Sequence, residues 1–390
     1  MSRLRVGETL HSDTGTPYRV DALLGEGGFG EAYVGERLVP ENATDAVVGG
    51  VVDGILDVRG EVVRPARTVA IKVCRSLDDW HGEAYFGRLL QGNPRVVELL
   101  DAFVTATGRE PRQRRRHVLV FEHMAEGTVW DAIEATGLRW PEAKVRAEIR
   151  ALLEVLRRMH GVWIIHRDIK PDNVYLRDGH LVLGDFGITK LALDHKGADA
   201  SRFQPDFAPR DLASSSMWGP AEDIFQVGLL AATLLSGEVW WNQVVSARAI
   251  TALEATDAFK SWIWHATGAR SKRYWHADDA LDALSSLRRV DVAPGRAPRS
   301  LRGQSVVFTG RLDGLSRAEA GRRARQVGAH LQTRLTDATT VVVLGRLGLS
   351  EGVTMFGVRE RLRTGQPIRV VSQDQFERLT TARPSRPAPG

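Results

Sequence analysis

The sequence predicts an α+β domain of two lobes around a cleft, followed by a small α/β domain built on a four-stranded parallel sheet. Three observations carry this expectation. Short β-like runs (Tyr18 to Leu24, Glu31 to Glu36, Thr68 to Val73, His117 to Glu122) fill the first part of the chain. Helical periodicity then takes over: Val145, Ile149, Leu152, Leu153, Leu156 and Met159 follow i, i+4, i+7 spacing. Finally, a segment with two Pro and a Gly at 291–300 reads as a linker, and strands and helices alternate beyond it.

At 390 residues, with 43% apolar and 26% charged residues, the chain fits two or three packed domains. Wholesale disorder, a collagen-like repeat and a disulfide scaffold are excluded. No apolar run approaches the ~18 residues of a membrane span; the longest candidate, Val227 to Leu235, is cut by Gly228. The opening residues lack the apolar core of a signal peptide. Cys74 is the only cysteine, so neither an intramolecular disulfide nor a cysteine-only metal site can form. The expectation is a cytoplasmic protein with no membrane partner. Net charge is +5 but uneven: from Asp291 onward 17 Arg and 8 acidic residues give +9, and the remainder nets −4. The basic end suits an anionic partner such as a phosphoprotein or nucleic acid. Equally, 46 Arg against 7 Lys is what a GC-rich genome supplies.

Gly25-Glu-Gly-Gly-Phe-Gly30 lies between two expected strands. Glycines let a backbone pass close to phosphate oxygens and offer its N–H groups. No helix follows, which argues against a dinucleotide crossover, and no G-K-[ST] ending makes it a Walker loop. Val69-Ala-Ile-Lys72 comes next on a strand, and Glu83, eleven residues on, is the natural partner for the ammonium. In His166-Arg-Asp-Ile-Lys-Pro-Asp-Asn173, Pro171 breaks the chain so that Asp168 and Asn173 can turn into one cleft. Leu183-Gly-Asp-Phe-Gly187 brings Asp185 on a hairpin twelve residues later. A carboxylate and an amide oxygen are hard ligands of the kind Mg²⁺ accepts beside phosphate oxygens. A further carboxylate is then free to receive a hydroxyl proton.

This ordered series resembles the eukaryotic-type (Hanks-type) Ser/Thr protein kinase family over roughly residues 15 to 290. The resemblance implies a two-lobed protein kinase fold using ATP and Mg²⁺ (or Mn²⁺) on protein substrates. It implies a nucleotide site of Gly25, Gly27, Gly28, Phe29, Gly30, Ala70 and Lys72, with Phe121 as gatekeeper and Glu122 and Met124 in the hinge. Asp168 and Lys170 would act at the transferred group, Glu83 would hold Lys72, and Asn173 and Asp185 would hold metal. Asp223 matches the helix aspartate that braces the catalytic loop, and Lys170 matches the Ser/Thr-specific form.

Four departures stand out. Ala32 replaces the usual Val above adenine, and an insertion, roughly 37 to 67, reads as a longer hairpin. Arg210 stands where Ala-Pro-Glu has its Glu, which would set it against Arg273 unless Asp211 takes over the pairing. Phe203 replaces a Thr of the substrate-docking loop. Thr189, Ser201 and Ser214 to Ser216 read first as ordinary loop hydroxyls and second as candidate phosphoacceptors. The basic run Arg109 to Arg116 reads as the solvated cap of a hairpin.

Beyond the linker, Ser305-Val-Val-Phe-Thr-Gly310 reads as a strand, and Ser316-Arg-Ala-Glu319 is a capping box opening a helix stopped by Gly328. Strands at 330–335, 339–344 and 369–372 and a helix at 353–363 complete a βαββαβα order. This stretch resembles a BRCT domain of the kind that ends bacterial NAD-dependent DNA ligases; no ligase core precedes it. The resemblance implies a phosphate pocket of Thr309, Gly310 and Arg359, and a phosphoprotein or DNA-associated partner. The expected divisions are an N-terminal segment 1–14, lobes of about 15–124 and 125–290, linker 291–300, BRCT-like domain 301–380 and a disordered tail 381–390. The leading expectation is a Ser/Thr kinase with a docking module; the rival is a pseudokinase scaffold that binds nucleotide and acts through docking.

Overall fold

A computed structural model describes residues 3–28, 30–40, 55–56, 62–107, 114–191, 198–199, 204–212, 217–287, 290, 292–346 and 353–381. Phe29, Ser201, Phe203 and Ser214 to Ser216 fall outside the described residues. The strands and helices in chain order are β1 (Thr9–His11), β2 (Pro17–Gly27), β3 (Gly30–Pro40), β4 (Ile55–Leu56), β5 (Val62–Cys74), α1 (Leu77–Leu89), β6 (Leu99–Thr107) and β7 (Arg114–Glu122). They continue with α2 (Val129–Thr136), α3 (Glu142–His160), β8 (Ile164–Ile165), β9 (Val174–Arg177), β10 (His180–Leu183), β11 (Lys190–Leu191), β12 (Ala198–Asp199), β13 (Met217–Trp218) and α4 (Pro220–Ser236). Then come α5 (Ala247–Ala252), α6 (Asp257–Ala266), α7 (Ala277–Ser285), β14 (Ser305–Thr309), α8 (Arg317–Gln326), β15 (His330–Leu331), β16 (Val341–Leu344), α9 (Val353–Arg363), β17 (Arg369–Ser372) and α10 (Gln373–Thr380). Two compact units result: residues 1–244 with 265–285, and residues 245–264 with 286–390. Among the described residues no helix is long and apolar enough to cross a membrane.

The first unit opens with an antiparallel sheet in the order β1-β2-β3-β5-β7-β6, with β4 paired to β5. Alternating side chains of these strands, Tyr18, Val20, Tyr33, Ile71 and Val118 among them, meet in one buried cluster. The β3–β5 ladder runs past the expected strand ends to Pro40 opposite Val63, so the described part of the insertion does lengthen a hairpin. Helix α1 starts where Ser76 Oγ accepts the Asp79 amide at 3.1 Å. Arg116 is not a solvated cap: it is 6% exposed, and its Nη1 donates to Glu8 at 2.5 Å.

After β7 the chain becomes helical. The apolar stripe foreseen at 145–159 is the buried face of α3. Helix α4 is buried along its whole length up to Leu235, which is why its second half, Val227 to Leu235, reads as a nearly continuous apolar run. Between these helices, β9 and β10 form a hairpin whose Asp178-Gly179 turn has positive φ at both residues, 52° and 67°. The two lobes of this unit are joined by a polar clamp. Leu183 N donates to Arg95 O (2.8 Å) and Val97 N to Leu183 O (2.9 Å). The buried Glu148 carboxylate accepts from Arg95 Nη1 (2.5 Å), the Leu181 amide (2.9 Å) and Lys144 (3.2 Å), and meets His180 Nδ1 at 2.8 Å.

The Arg210 departure is resolved by its neighbour. Asp211 Oδ1 lies 3.0 Å from Arg273 Nη2, and Glu222 Oε1 lies 3.1 Å from Arg273 Nη1. Arg210 turns away to the Gln243 carbonyl at 3.0 Å. The Arg273 guanidinium is 1% exposed, so this pairing supplies the charge that burial demands.

In the second unit β15-β14-β16-β17 form a sheet with every pair parallel. Both faces are covered. Val306 and Phe308 pack with Ala320, Ala324 and Phe376 of α8 and α10, while Val307 packs with Met355 and Val358 of α9. That two-sided burial explains the continuous apolar run of β14. Residues 245–264 belong to this unit besides the stretch 301–380 marked out by the sequence. Asp257 pairs with Arg359, and Ser261 Oγ donates to Glu360 Oε2 at 2.5 Å.

Two expectations follow. Removing the Asp211 carboxylate leaves Arg273 short of one partner, so Asp211→Ala should cost about 2–4 kcal/mol. Arg210→Ala should stay within about 0.5 kcal/mol; urea unfolding compares the two. For Glu148, burial would raise the carboxyl's pKa, but the Leu181 amide, Arg95, His180 and Lys144 together pull it down to about 2. An acid so depressed stabilises the fold above its unfolded pKa, and that gain drains away as pH falls toward 2. The stability gap between wild type and Glu148→Gln, on the order of 3 kcal/mol near neutrality, should therefore narrow between pH 5 and pH 3 in the same assay.

Candidate active site

A cavity of about 520 Å³ opens between the sheet and the helical lobe of the first unit. Of the residues singled out in the sequence, Gly25, Gly27, Gly30, Ala70, Lys72, Glu83, Glu122, Met124 and Asp185 line it. The glycine turn forms because β2 and β3 pair up to Gly27 opposite Gly30. Glycine is required at position 30 by packing, since a Cβ there would stand 2.1 Å from Val73 O. At Gly25, Gly27 and Gly28 a Cβ would meet no protein atom within 4 Å. What those three leave open is room beside exposed backbone amides.

Strand β5 carries Lys72 into the cavity, where Nζ lies 2.8 Å from the Glu83 carboxylate and 3.0 Å from Asp185 Oδ1. Burial opposes the ammonium, but Asp185 and Glu83 outweigh it and hold the Lys72 pKa above its usual range. Burial likewise works against Asp185, and the Lys72 charge more than offsets it, keeping Asp185 ionised. Glu83 is pushed upward by its burial against the pull of Lys72. Asp185 itself sits at φ 53° and Arg167 at φ 75°. Such left-handed backbone at a non-glycine residue is costly and persists only where surroundings fix it.

At Arg167, Asp223 supplies that fixing. Its carboxylate accepts the amides of His166 (2.8 Å) and Arg167 (2.9 Å) and Nε1 of Trp218 (3.1 Å). One turn along α4, Gln226 accepts the Ile169 amide at 2.8 Å and donates to Arg167 O at 3.3 Å. The loop so held presents Asp168, whose Oδ2 accepts from Asn173 Nδ2 at 2.8 Å and lies 3.2 Å from Lys170 Nζ. Asp168 Oδ1 is buried with no partner among the described residues. Burial raises the Asp168 pKa, with Lys170 acting against it, and a carboxylate with one free oxygen can receive a proton.

The donors also suit Mg²⁺. Asn173 Nδ2 is committed to Asp168, so a cation would meet the amide oxygen. Among the described residues no group of three or more His, Cys, Asp or Glu could hold an ion alone. One carboxylate and one amide, completed by phosphate oxygens and water, is the sparse coordination Mg²⁺ accepts.

Some residues went unforeseen. Gln204 Oε1 takes a 2.6 Å bond from Lys170, the position next to the absent Thr. Asp131 lines the cavity and closes a capping box with Thr128; the Thr-x-x-Asp spacing was its signal. Gln226 lies i+3 from Asp223, on the same helix face. Thr189 is 6% exposed, so this candidate phosphoacceptor is closed to an enzyme in this arrangement.

In the second unit, Thr309 is 2% exposed and its Oγ1 has no partner among the described residues. Gly310 turns the chain at φ 73°. The guanidinium that reaches this turn is that of Arg317, donating to Gly310 O at 2.7 Å. Arg359 is held by Asp257 instead.

Comparison with known proteins agrees with this geometry. A family model described as protein kinase domain matches residues 62–291. Similar curated proteins include a calcium/calmodulin-dependent protein kinase type 1 of Macrobrachium nipponense, 29% identical over 44% of this chain and 50% of its own length. The serine/threonine-protein kinase chk-1 of Caenorhabditis briggsae is 28% identical over 49% of this chain and 37% of its own. The cyclin-dependent kinase-like 1 of Caenorhabditis elegans is 33% identical over 33% of this chain and 37% of its own. The chain thus spans half or less of the length of these relatives. With the glycine turn, the lysine–carboxylate pair and the loop braced by Asp223 in one unit, the chain belongs to the protein kinase domain family.

Proposed function

We propose that this chain is an ATP-dependent serine/threonine protein kinase. The observation that carries the reading is the Lys72 ammonium held between Glu83 and Asp185 on the cavity that the glycine turn covers. Lys72 would orient the α- and β-phosphates, and the backbone of Gly25 to Gly30 would cradle them. A divalent ion held by Asp185 and Asn173 would supply positive charge at the phosphate oxygens. The substrate hydroxyl oxygen bonds to the γ-phosphorus, the bond to the β–γ bridging oxygen breaks, and ADP leaves. Asp168 takes the hydroxyl proton on its free oxygen, while Lys170 neutralises charge alongside. Lys170 and its serine/threonine-kinase relatives support hydroxyls of Ser and Thr as acceptors. A scaffold that binds nucleotide without transfer is motivated by Arg210 and Phe203; the Asp211–Arg273 pair answers the first, and Phe203 lies outside the described residues.

The second unit is, in our reading, a docking module akin to a BRCT domain that brings the kinase to phosphorylated proteins. The Thr309–Gly310 turn would receive the phosphate, with Arg317 beside it. The lack of a partner for Thr309 Oγ1 among the described residues supports this reading, although at 2% exposure the hydroxyl meets a phosphate only if the turn opens.

Transfer of label from γ-³²P-ATP with Mg²⁺ to a basic protein acceptor tests the first reading. Turnover of ~1–100 s⁻¹ is expected for an active kinase. Asp168→Asn should lose several powers of ten while still binding nucleotide, and Asp185→Asn should lose transfer together with Mg²⁺-dependent binding. Label incorporated equally by the variants would exclude the assignment. For the second unit, Thr309→Val should raise unfolding stability by about 1 kcal/mol and abolish binding of phosphoserine and phosphothreonine peptides in polarisation titrations. Binding to duplex DNA that weakens steeply with salt would point to a nucleic-acid partner instead.

A further inference from the structure

Residues 3–11 do more than extend the sheet. Leu4 is 6% exposed and joins the sheet's buried cluster, and β1 pairs with β2 from Thr9 to His11. Gly7 N donates to Val20 O at 2.7 Å, and Val20 N to Glu8 O at 2.9 Å. Arg116 adds a second fastening, donating from Nη1 to Glu8 (2.5 Å) and from Nη2 to the Arg3 carbonyl (3.1 Å). The backbone that carries Arg3 is therefore fixed from both sides.

So anchored, Arg3 reaches both arms of the glycine turn. Its Nη2 donates to Glu26 Oε2 at 2.6 Å on the incoming arm, and its Nε lies 3.6 Å from Glu31 Oε1 on the outgoing arm. Glu26 sits between Gly25 and Gly27, and Glu31 follows Gly30 directly. The other oxygen of Glu31 accepts Tyr33 Oη at 2.5 Å, and Tyr33 Oη accepts the Leu4 amide at 3.2 Å. Arg75 Nη2 also reaches Glu26, at 3.3 Å.

The geometry points to Arg3 as a positioning residue for the nucleotide: a strap of residues 3–11 ties the two arms of the glycine turn together. Two consequences follow from chemistry alone. Joining the arms limits how far the turn can lift from bound phosphates. Pairing with Glu26 and Glu31 also cancels negative charge beside the place where a triphosphate, itself negative, would lie. Arg3 acts through the two glutamates it pairs with, which is a positioning role. The inference rests on the kinase reading for its nucleotide.

The experiment measures ATP with Mg²⁺ on the full-length chain, by equilibrium binding and by KM and kcat, for Arg3→Ala, Arg3→Glu and Arg3→Lys. Thermal melting runs alongside. An exposed ion-pair network predicts about 2- to 5-fold weaker ATP binding for Arg3→Ala, more for Arg3→Glu, and near wild-type affinity for Arg3→Lys. KM for ATP should rise with kcat little changed, the melting temperature should hold, and the effect should shrink in high salt. Unchanged affinity in Arg3→Glu, or a loss that tracks the melting temperature in all three variants, would overturn the role of Arg3. Wild type that binds no ATP would overturn it together with the kinase reading, whereas wild type that binds ATP without transferring phosphate would leave the binding comparison decisive.

Discussion

One buried carboxylate organises the centre of the first unit. Asp223 is wholly excluded from solvent, and an ion in that setting is tolerable only if its oxygens are fully paired. The successive amides of His166 and Arg167 and the Trp218 indole provide that pairing, with His160 Nε2 3.1 Å away. Burial would favour protonation, yet these partners hold the Asp223 pKa below its usual value. The consequence lies in the backbone. Arg167 adopts a left-handed conformation it would not choose by itself, and that turn aims Asp168 toward the site. The conformation of the 166–169 loop thus depends on a residue more than 50 positions along the chain, carried by a helix buried almost throughout.

A second charge arrangement sets the cavity above that loop. Lys72 comes from the sheet, Glu83 from the helix packed on it, and Asp185 from the other lobe. None would be stable buried alone, so the three define a shared arrangement of strand, helix and loop. The clamp around Glu148 restrains the same lobes farther back, where Arg95 from one lobe meets Leu181 and His180 from the other.

At one departure from its family, a neighbouring side chain restores the missing interaction. Asp211 takes up the pairing that Arg210 cannot make, so Arg273 keeps a carboxylate partner there. The partner shifts by one residue along an irregular segment. A loop can absorb such a shift, because it has no periodic side-chain register to break. A slip of one residue in β5 would instead turn Lys72 to the opposite face of the sheet.

The local chemistry of this protein was legible in its sequence. Glycine spacing and the period-2 and period-3.6 runs depend on interactions between near neighbours, so they predicted α3, the main strands of the first sheet and the parallel order of the second, although the strand expected at 330–335 is only His330–Leu331. Other features belonged to tertiary structure alone. Arg116 looked like part of a solvated basic run until Glu8, more than 100 residues earlier, paired with it. Arg359 looked like a phosphate ligand, yet Asp257 holds it, and Arg317 reaches the Thr309–Gly310 turn. Thr189 looked like an accessible hydroxyl and is buried. Long charged side chains reach several ångströms in directions that sequence spacing does not constrain, so their partners are decided only when distant segments pack. Backbone periodicity is written in the sequence; the pairing of charges across the fold is decided by the three-dimensional structure.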